Sequence, residues 1–537
     1  MAAIGPDDDS LPLDDSLSAV QPEVTPAPVS KRELIVVALL VVLADVTIFR
    51  GEGYAAYAAL FAIAPLLFWT GTPTRKVTFA SSLVFLLLAL VAARQLWSGS
   101  ALLTLCGWGL LFAFSMALAG SCPFVLETLV FASQTVRSGF EGLKQYGKVL
   151  ERRADAQQRR PWMNTGLPAA ALLAFGTVFI LANPDLVTIV STRLQIVIDA
   201  ISDWLSAFSF WEVVFWVAAL WVSVGLIRPY VTAAPSVADE SRPETPAAEA
   251  PLLIAFRNTL LSVIALFAIY LVFEFRTLWF REFPETFFRS GRVHKYAHEG
   301  AAWLTMALAM ATVVLSLIFR GATLGDPRLP KIRKLAWLWS LENGLLAITV
   351  YHRLLIYIGY NGMTRMRVVG LLGISCVVIG FILVVWKIVF NRRFAWLLRR
   401  HLLTVALAVL LYALLPLDPM VHRYNVRRVL AGDLAPGVQI SVHPITADGY
   451  LVLEPLLQSE NETIREGIRS MLAERLIQCE QDASLSAESG WSAFQLADDM
   501  LLLRLREIRS RLQPFHDNES LRNNARRQFN EFLFQWY

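Results

Sequence analysis

Long apolar runs recur along this chain, and their lengths set its architecture. A helix needs about 20 apolar residues, within a range of about 17–25, to cross a bilayer. Runs of about that length occupy residues 33–49, 53–70, 77–93, 101–120, 167–183, 209–227, 253–273, 299–319, 336–359, 367–387 and 402–417. They predict an all-α polytopic membrane protein of about 11 transmembrane helices. The first two runs meet in a tight turn at Gly51 to Gly53, and the last is short.

Polar stretches divide these runs into units. Residues 1–32 form an acidic, Pro-rich tail, with Asp7, Asp8, Asp9, Asp14 and Asp15, and are expected to be disordered. The tail lacks a basic n-region, so the first apolar run reads as an uncleaved helix rather than a signal peptide. The first membrane half, 33–228, holds six spans and a basic amphipathic segment at 121–165. Residues 229–252 are a Pro/Ala/Glu linker without the means to pack a core. The second half, 253–417, holds five spans. Residues 418–537 return to a soluble pattern and predict a small helical domain: a helix over 418–431, a short strand from Gly437 to His443, and a helix pair of the HEAT type from Gly449 to Leu476. Further helices are expected near 491–513 and 518–535.

Loop charge then gives an orientation. Arg137, Lys144, Lys148, Arg152, Arg153, Arg159 and Arg160 mark the segment after the fourth span as cytoplasmic. The same side takes Lys31, Arg32, Arg75, Lys76, Arg328, Lys331, Arg333, Lys334, Arg392 and Arg393. The N-terminus is therefore expected inside and, after eleven spans, the C-terminus outside. Residues 274–298 break the pattern with five basic residues on the outer side. Their interleaved Phe275, Trp279, Phe283 and Phe287 suggest a segment lying in the interface.

Composition sharpens the class more than the function. The chain of 537 residues is 55% hydrophobic and 17% charged, against about 25% charged in soluble proteins. A net charge of +4 with no strongly basic face excludes a nucleic-acid footprint. The four cysteines, Cys106, Cys122, Cys376 and Cys479, show neither metal spacing nor a disulfide framework. Phosphate-cradling loops, nucleophile elbows and kinase signatures are absent, no cofactor is implied, and an enzyme is the least favoured class.

The candidate chemistry sits inside the apolar runs, where ionisable groups are costly and need a partner or a task. The ninth run carries Glu342, Asn343, His352 and Arg353. Glu342, Thr349 and Arg353 share one helix face, but Glu342 and Arg353 lie roughly 16 Å apart along it and cannot pair. Asp45, Glu299 and Lys387 are their candidate partners on other spans. Either these groups form a polar pathway for an ion or small solute, or they fix helix packing, with Arg353 reaching toward the interface. The run ends in a turn. Gly362 suits positive φ, Thr364 is placed to cap the next helix, and Arg365 and Arg367 fall at that helix's N-terminus, where cations require an anionic neighbour: a lipid phosphate, a bound anion or a carboxylate, with anchoring to lipid headgroups the favoured reading. His294 and His298, four apart beside Glu299, are a weak metal candidate without a third ligand.

Arg353-Leu354-x-x-Tyr357, followed by Gly362-x-Thr364-x-x-Arg367, resembles a segment of a bacterial multi-pass inner-membrane family catalogued as a domain of unknown function (4173-like). That family has a second Tyr where Asn361 stands and a Leu where Met363 stands. Asp418-Pro419 and His422 to Asn425 are similar to the segment after that family's last span. The resemblance covers about 250–450 and implies a bacterial inner-membrane location but no substrate. Two roles are expected from these features. One is transport through the polar groups of the ninth span. The other is a membrane scaffold or sensor whose residues 418–537 dock a protein partner, with membrane lipids as the surrounding ligand.

Overall fold

The computed structural model describes residues 28–73, 77–157, 209–229, 252–279, 300–319, 326–390 and 392–536, with isolated positions between. The described residues are helical, without strands. Helix α1, Lys31–Ala44, continues as a π-helical turn, Asp45–Phe49. Helices α2 (Tyr54–Gly71), α3 (Phe79–Trp97) and α4 (Ala101–Leu118) follow as antiparallel hairpins. Polar side chains close their ends: Ser30 caps α1, Thr78 and Ser81 form a capping box on α3, and Ser100 caps α4. Helix α5, Val125–Gln157, is long and amphipathic, and α6, Phe210–Ile227, completes the first bundle.

The second bundle contains α7 (Leu253–Glu274, extended by a π-helical turn Phe275–Trp279), α8 (Gly300–Ile318), α9 (Leu329–Asn361), α10 (Arg365–Phe390) and α11 (Phe394–Leu414). The predicted ninth span is therefore only part of a 33-residue helix. Seven of the described helices, α2, α3, α4, α6, α7, α10 and α11, are long and apolar enough to cross a membrane. This is fewer than the expected eleven. Helix α1 has only 14 residues and opens with Lys31, Arg32 and Glu33, the apolar part of α8 is short, and α9 carries five charged residues, Lys331, Arg333, Lys334, Glu342 and Arg353. The predicted span 167–183 lies outside the described residues. The division at the linker is also not strict, because Leu410 of α11 packs in the core of the first bundle.

Contacts order the helix ends into two faces. On one face α5 crosses the ends of its neighbours: Tyr146 donates to Glu33 of α1, Arg228 after α6 pairs with Glu33, and Glu127 pairs with Arg399 at the start of α11 (2.5 Å). The turns at 50–53, 97–100, 362–364 and 415–416 gather on the opposite face, under the C-terminal domain.

That domain comprises α12 (Leu417–Leu430), two short helices α13 (Val438–Val442) and α14 (Ala447–Tyr450), then α15 (Glu462–Ser489), α16 (Leu496–Glu507), α17 (Arg509–Asp517) and α18 (Glu519–Phe534). Its core includes Ile468, Leu472 and Leu476 of α15, with Leu501, Leu512 and Phe529 from the helices around it. The predicted strand at 437–443 is helical: Val438, Gln439 and Ile440 are consecutive buried residues, which a one-faced strand cannot accommodate. The HEAT-type pair is also absent. Only its second arm, α15, is a full helix, capped by Asn461 (3.1 Å to Ile464 N).

Candidate functional site at the turn below the C-terminal domain

The turn between α9 and α10 is where the polar chemistry of the chain converges. Gly362 sits at φ +83°, and a Cβ there would lie 2.6 Å from Asn425 Oδ1 and 2.8 Å from Pro436 Cβ. Glycine thus serves twice, in the backbone conformation and in the close approach of α12. Into that space Asn425, fully buried, places its amide. Met363 N–H donates to Asn425 Oδ1 (2.7 Å), and Asn425 Nδ2 donates to Met363 O (2.9 Å). Gln439 Nε2 donates to both the backbone and side-chain oxygens of Asn361 (2.9 and 2.8 Å). Arg428 reaches back to Gly359 O (2.6 Å).

The cations at the start of α10 have separate solutions. Arg365 forms a two-pronged pair with Asp418, the second residue of α12. Asp418 also accepts from Thr446 N and Oγ1 (2.7 Å each). Thr446 Oγ1, its one proton on Asp418, also lies against the carboxylate of Asp448, which pairs with Arg94 of α3 (3.1 Å). This relay joins α3, α10, α12 and α14 in one charged seam. The carboxylate that offsets Arg365 at the helix N-terminus is therefore protein, not lipid. Burial alone pushes the Asp418 carboxyl up, but the hydrogen bonds from Arg365 and Thr446 outweigh it and hold it below the ordinary range. Arg367 is buried: it donates to Gly362 O and lies 4.0 Å over the ring of Tyr357. Thr364 Oγ1 accepts from Arg367 N (3.2 Å), which makes it the cap of α10. His422, one turn after Asp418, is 2% exposed and burial pushes its pKa down to about 4.

The other intramembrane candidates do not join this seam. Arg353 makes a buried two-pronged pair with Glu274 of α7 (2.6 Å twice), a partner the apolar pattern did not nominate. By apolar pattern alone Glu274 falls in the loop after the seventh run. Asp45 pairs with Arg50 (3.0 Å) and accepts from Trp216 Nε1 (2.8 Å). Lys387 donates to Phe319 O at the end of α8 (2.8 Å), where a cation meets open carbonyls. Both Asp45 and Glu274 stand where an α-helix changes to a π-helical turn, a distortion that redirects side chains. Glu342 and Asn343 are buried about 20 Å into α9. Glu342 Oε2, Asn343 Oδ1 and the nearby Trp339 Nε1 have no hydrogen-bond partner. His352 is half-buried. Glu299, His294 and His298 lie outside the described residues. Among the described residues no group of three His, Cys, Asp or Glu side chains is placed to hold a metal.

Grooves open on the bundle surface among the described residues, and two bear on the candidates. One, of about 470 Å³, lies between α1 and α6 and includes Asp45. The other, of about 710 Å³, lies between α2 and α3. Neither is lined by Glu342 or Arg353.

Against known families, the chain matches the model described as Domain of unknown function (DUF4153) over residues 34–448, and it belongs to that family. The turn points instead to a domain of unknown function under a different number, 4173, and to a match over only the second half. The family match takes in both bundles and ends at Asp448, so it includes every residue of the seam. No curated protein and no solved structure matches the chain.

Proposed function

We propose that this member of the DUF4153 family is a non-transporting membrane scaffold. Its bundle holds the C-terminal domain rigidly at one face for docking of a protein partner. The observation that carries this reading is the way α12 and α13 take up the polar groups of the turn: Asn361, Met363 and Arg365 are engaged through Gln439, Asn425 and Asp418. Two of the polar groups expected in a pathway are tied in separate pairs, Arg353 with Glu274 and Asp45 with Arg50.

We also infer eleven crossings of a bacterial inner membrane, with the C-terminal domain on the non-cytoplasmic side. Chain parity supports this count. Helix α5 lies on the basic face, whereas Glu212 at the start of α6 meets Arg50 at the opposite face, which agrees with an odd number of crossings between them. The apolar run 167–183 is of the length proposed for that span. Lys31, Arg32, Arg328, Lys331, Arg333, Lys334, Arg392 and Arg393 belong to the α5 face, which the positive-inside rule makes cytoplasmic.

Transport retains one observation in its favour: the unpartnered Glu342 Oε2 and Asn343 Oδ1 within α9. The two readings separate in proteoliposomes carrying the full chain. The scaffold predicts no H⁺, Na⁺ or K⁺ current above empty vesicles, and no change in Glu342→Gln. A current that Glu342→Gln abolishes would overturn it.

A further inference from the structure

The larger groove is continuous with the contact between the bundle and the C-terminal domain, and that continuity gives it a ligand. Small side chains hollow it out: Ala55, Ala58, Ala59 and Ala62 along α2, and Ala89 and Ala93 along α3. Alanines at these spacings leave a trough because no side chain fills the space between the two helices. Phe61, Pro65 and Phe85 complete its apolar wall. Both walls are helices long and apolar enough to cross the membrane, so the trough opens onto hydrocarbon.

Its end is closed by the other domain. Trp491 and Phe494 of the C-terminal domain line the groove beside Ala55 and Leu96, while remaining 54% and 44% exposed themselves. Their position is fixed by contacts at the turns below. Glu52 N–H donates to Ser492 Oγ (3.2 Å), and Gly53 packs so closely on Ser492 that a Cβ would lie 2.4 Å from its carbonyl oxygen. Gln495 accepts from Gly99 N–H and donates to Gln95 O (3.3 Å). Two aromatic rings are therefore held at the level of the membrane surface, where Trp and aromatic side chains suit the headgroup boundary.

We propose that this groove is a phospholipid site in which one acyl chain lies between α2 and α3 beneath Trp491 and Phe494. No charged side chain lines it, so it selects hydrocarbon rather than a polar solute. Its volume is in the range of about 300–1,000 Å³ that holds small ligands. A partner helix fits less well, because the two rings overhang the end through which a helix would leave the membrane. The bound chain joins the first bundle to the C-terminal domain by apolar contact, beside the polar contacts at the turns.

The test is native mass spectrometry of the full chain released from nanodiscs of palmitoyl-oleoyl phosphatidylglycerol, and separately of palmitoyl-oleoyl phosphatidylethanolamine. The wild type should retain one phospholipid in either case. Ala62→Phe with Ala89→Phe, which fills the trough, should retain none. Trp491→Ala with Phe494→Ala leaves the membrane helices untouched and should reduce retention at least threefold. Equal retention in wild type and both variants overturns the proposal. So does a tenfold preference for one headgroup, which would mean recognition outside the groove. A dimer mass lost in the filled variant would overturn it in favour of a second copy.

Discussion

Replacing Asn425 by Ala should release the turn from the C-terminal domain while leaving both bundles folded. The side chain is fully buried and makes two bonds, accepting from Met363 N–H at 2.7 Å and donating to Met363 O at 2.9 Å. Truncation strands both backbone groups. Each stranded group costs about 1–3 kcal/mol, so the substitution should weaken the junction by roughly 2–6 kcal/mol. At about 1.4 kcal/mol per tenfold, local opening should rise from about 30-fold at the low end to about 10⁴-fold at the high end. Hydrogen exchange read by mass spectrometry, on the full chain in nanodiscs, reports this directly. Peptides spanning 359–368 and 436–444 should lose protection, the second because Gln439 bonds to Asn361 across the same contact. Peptides from α2 to α4 should not change. Protection at 359–368 within threefold of wild type would mean that the amide pair does not hold the turn to the C-terminal domain.

Two further outcomes are expected. Arg353→Met leaves Glu274 buried without its partner and should destabilise the second bundle by roughly 3–5 kcal/mol in a denaturation series. Adding Glu274→Leu should recover most of that loss, whereas a polar pathway would need the charges back. Acid should loosen the C-terminal domain through His422, which is surrounded by Asp418, Arg365, His443 and Asp448. Its folded pKa of about 4 lies below its ordinary 6.5, so the unfolded chain takes the proton first. Its contribution is complete above pH 6.5 and lost as pH falls toward 4, about 3 kcal/mol in all. His422→Leu should flatten the melting-temperature profile across that window. Asp418, held below the ordinary carboxylate range, remains ionised there, so the Arg365 pair persists.

The helices were legible because the apolar runs are long and their ends carry Ser, Thr and Gly. The turn at Gly362 was legible for the same reason: positive φ and a Thr cap are local chemistry. Partners were not. Arg353 announces that it needs an anion, but nothing local indicates that Glu274 supplies it. Glu274 is the last residue of its helix but lies just past the apolar run, so its charge makes it look like loop. Gln439 is hidden by an alternating pattern that reads as a strand, when the segment is a short helix buried on several sides. The turn at 353–367 and the stretch from Asp418 to Asn425 were each singled out by resemblance, but nothing in either announced the other; the pairs Asn425–Met363 and Arg365–Asp418 join them only in the fold.

The central claim, that the bundle holds the C-terminal domain in one fixed position, is open to a single distance measurement. Ser133 of α5 and Ser520 of α18 are exposed and lie on opposite faces of the bundle. Spin labels on Ser133→Cys and Ser520→Cys, in a chain with Cys106, Cys122, Cys376 and Cys479 replaced, can be measured by pulsed dipolar spectroscopy in nanodiscs at pH 7.5. A domain held in one position gives one narrow distance distribution that broadens when Asn425→Ala is added. A broad or multiple distribution in the otherwise unaltered chain would contradict it.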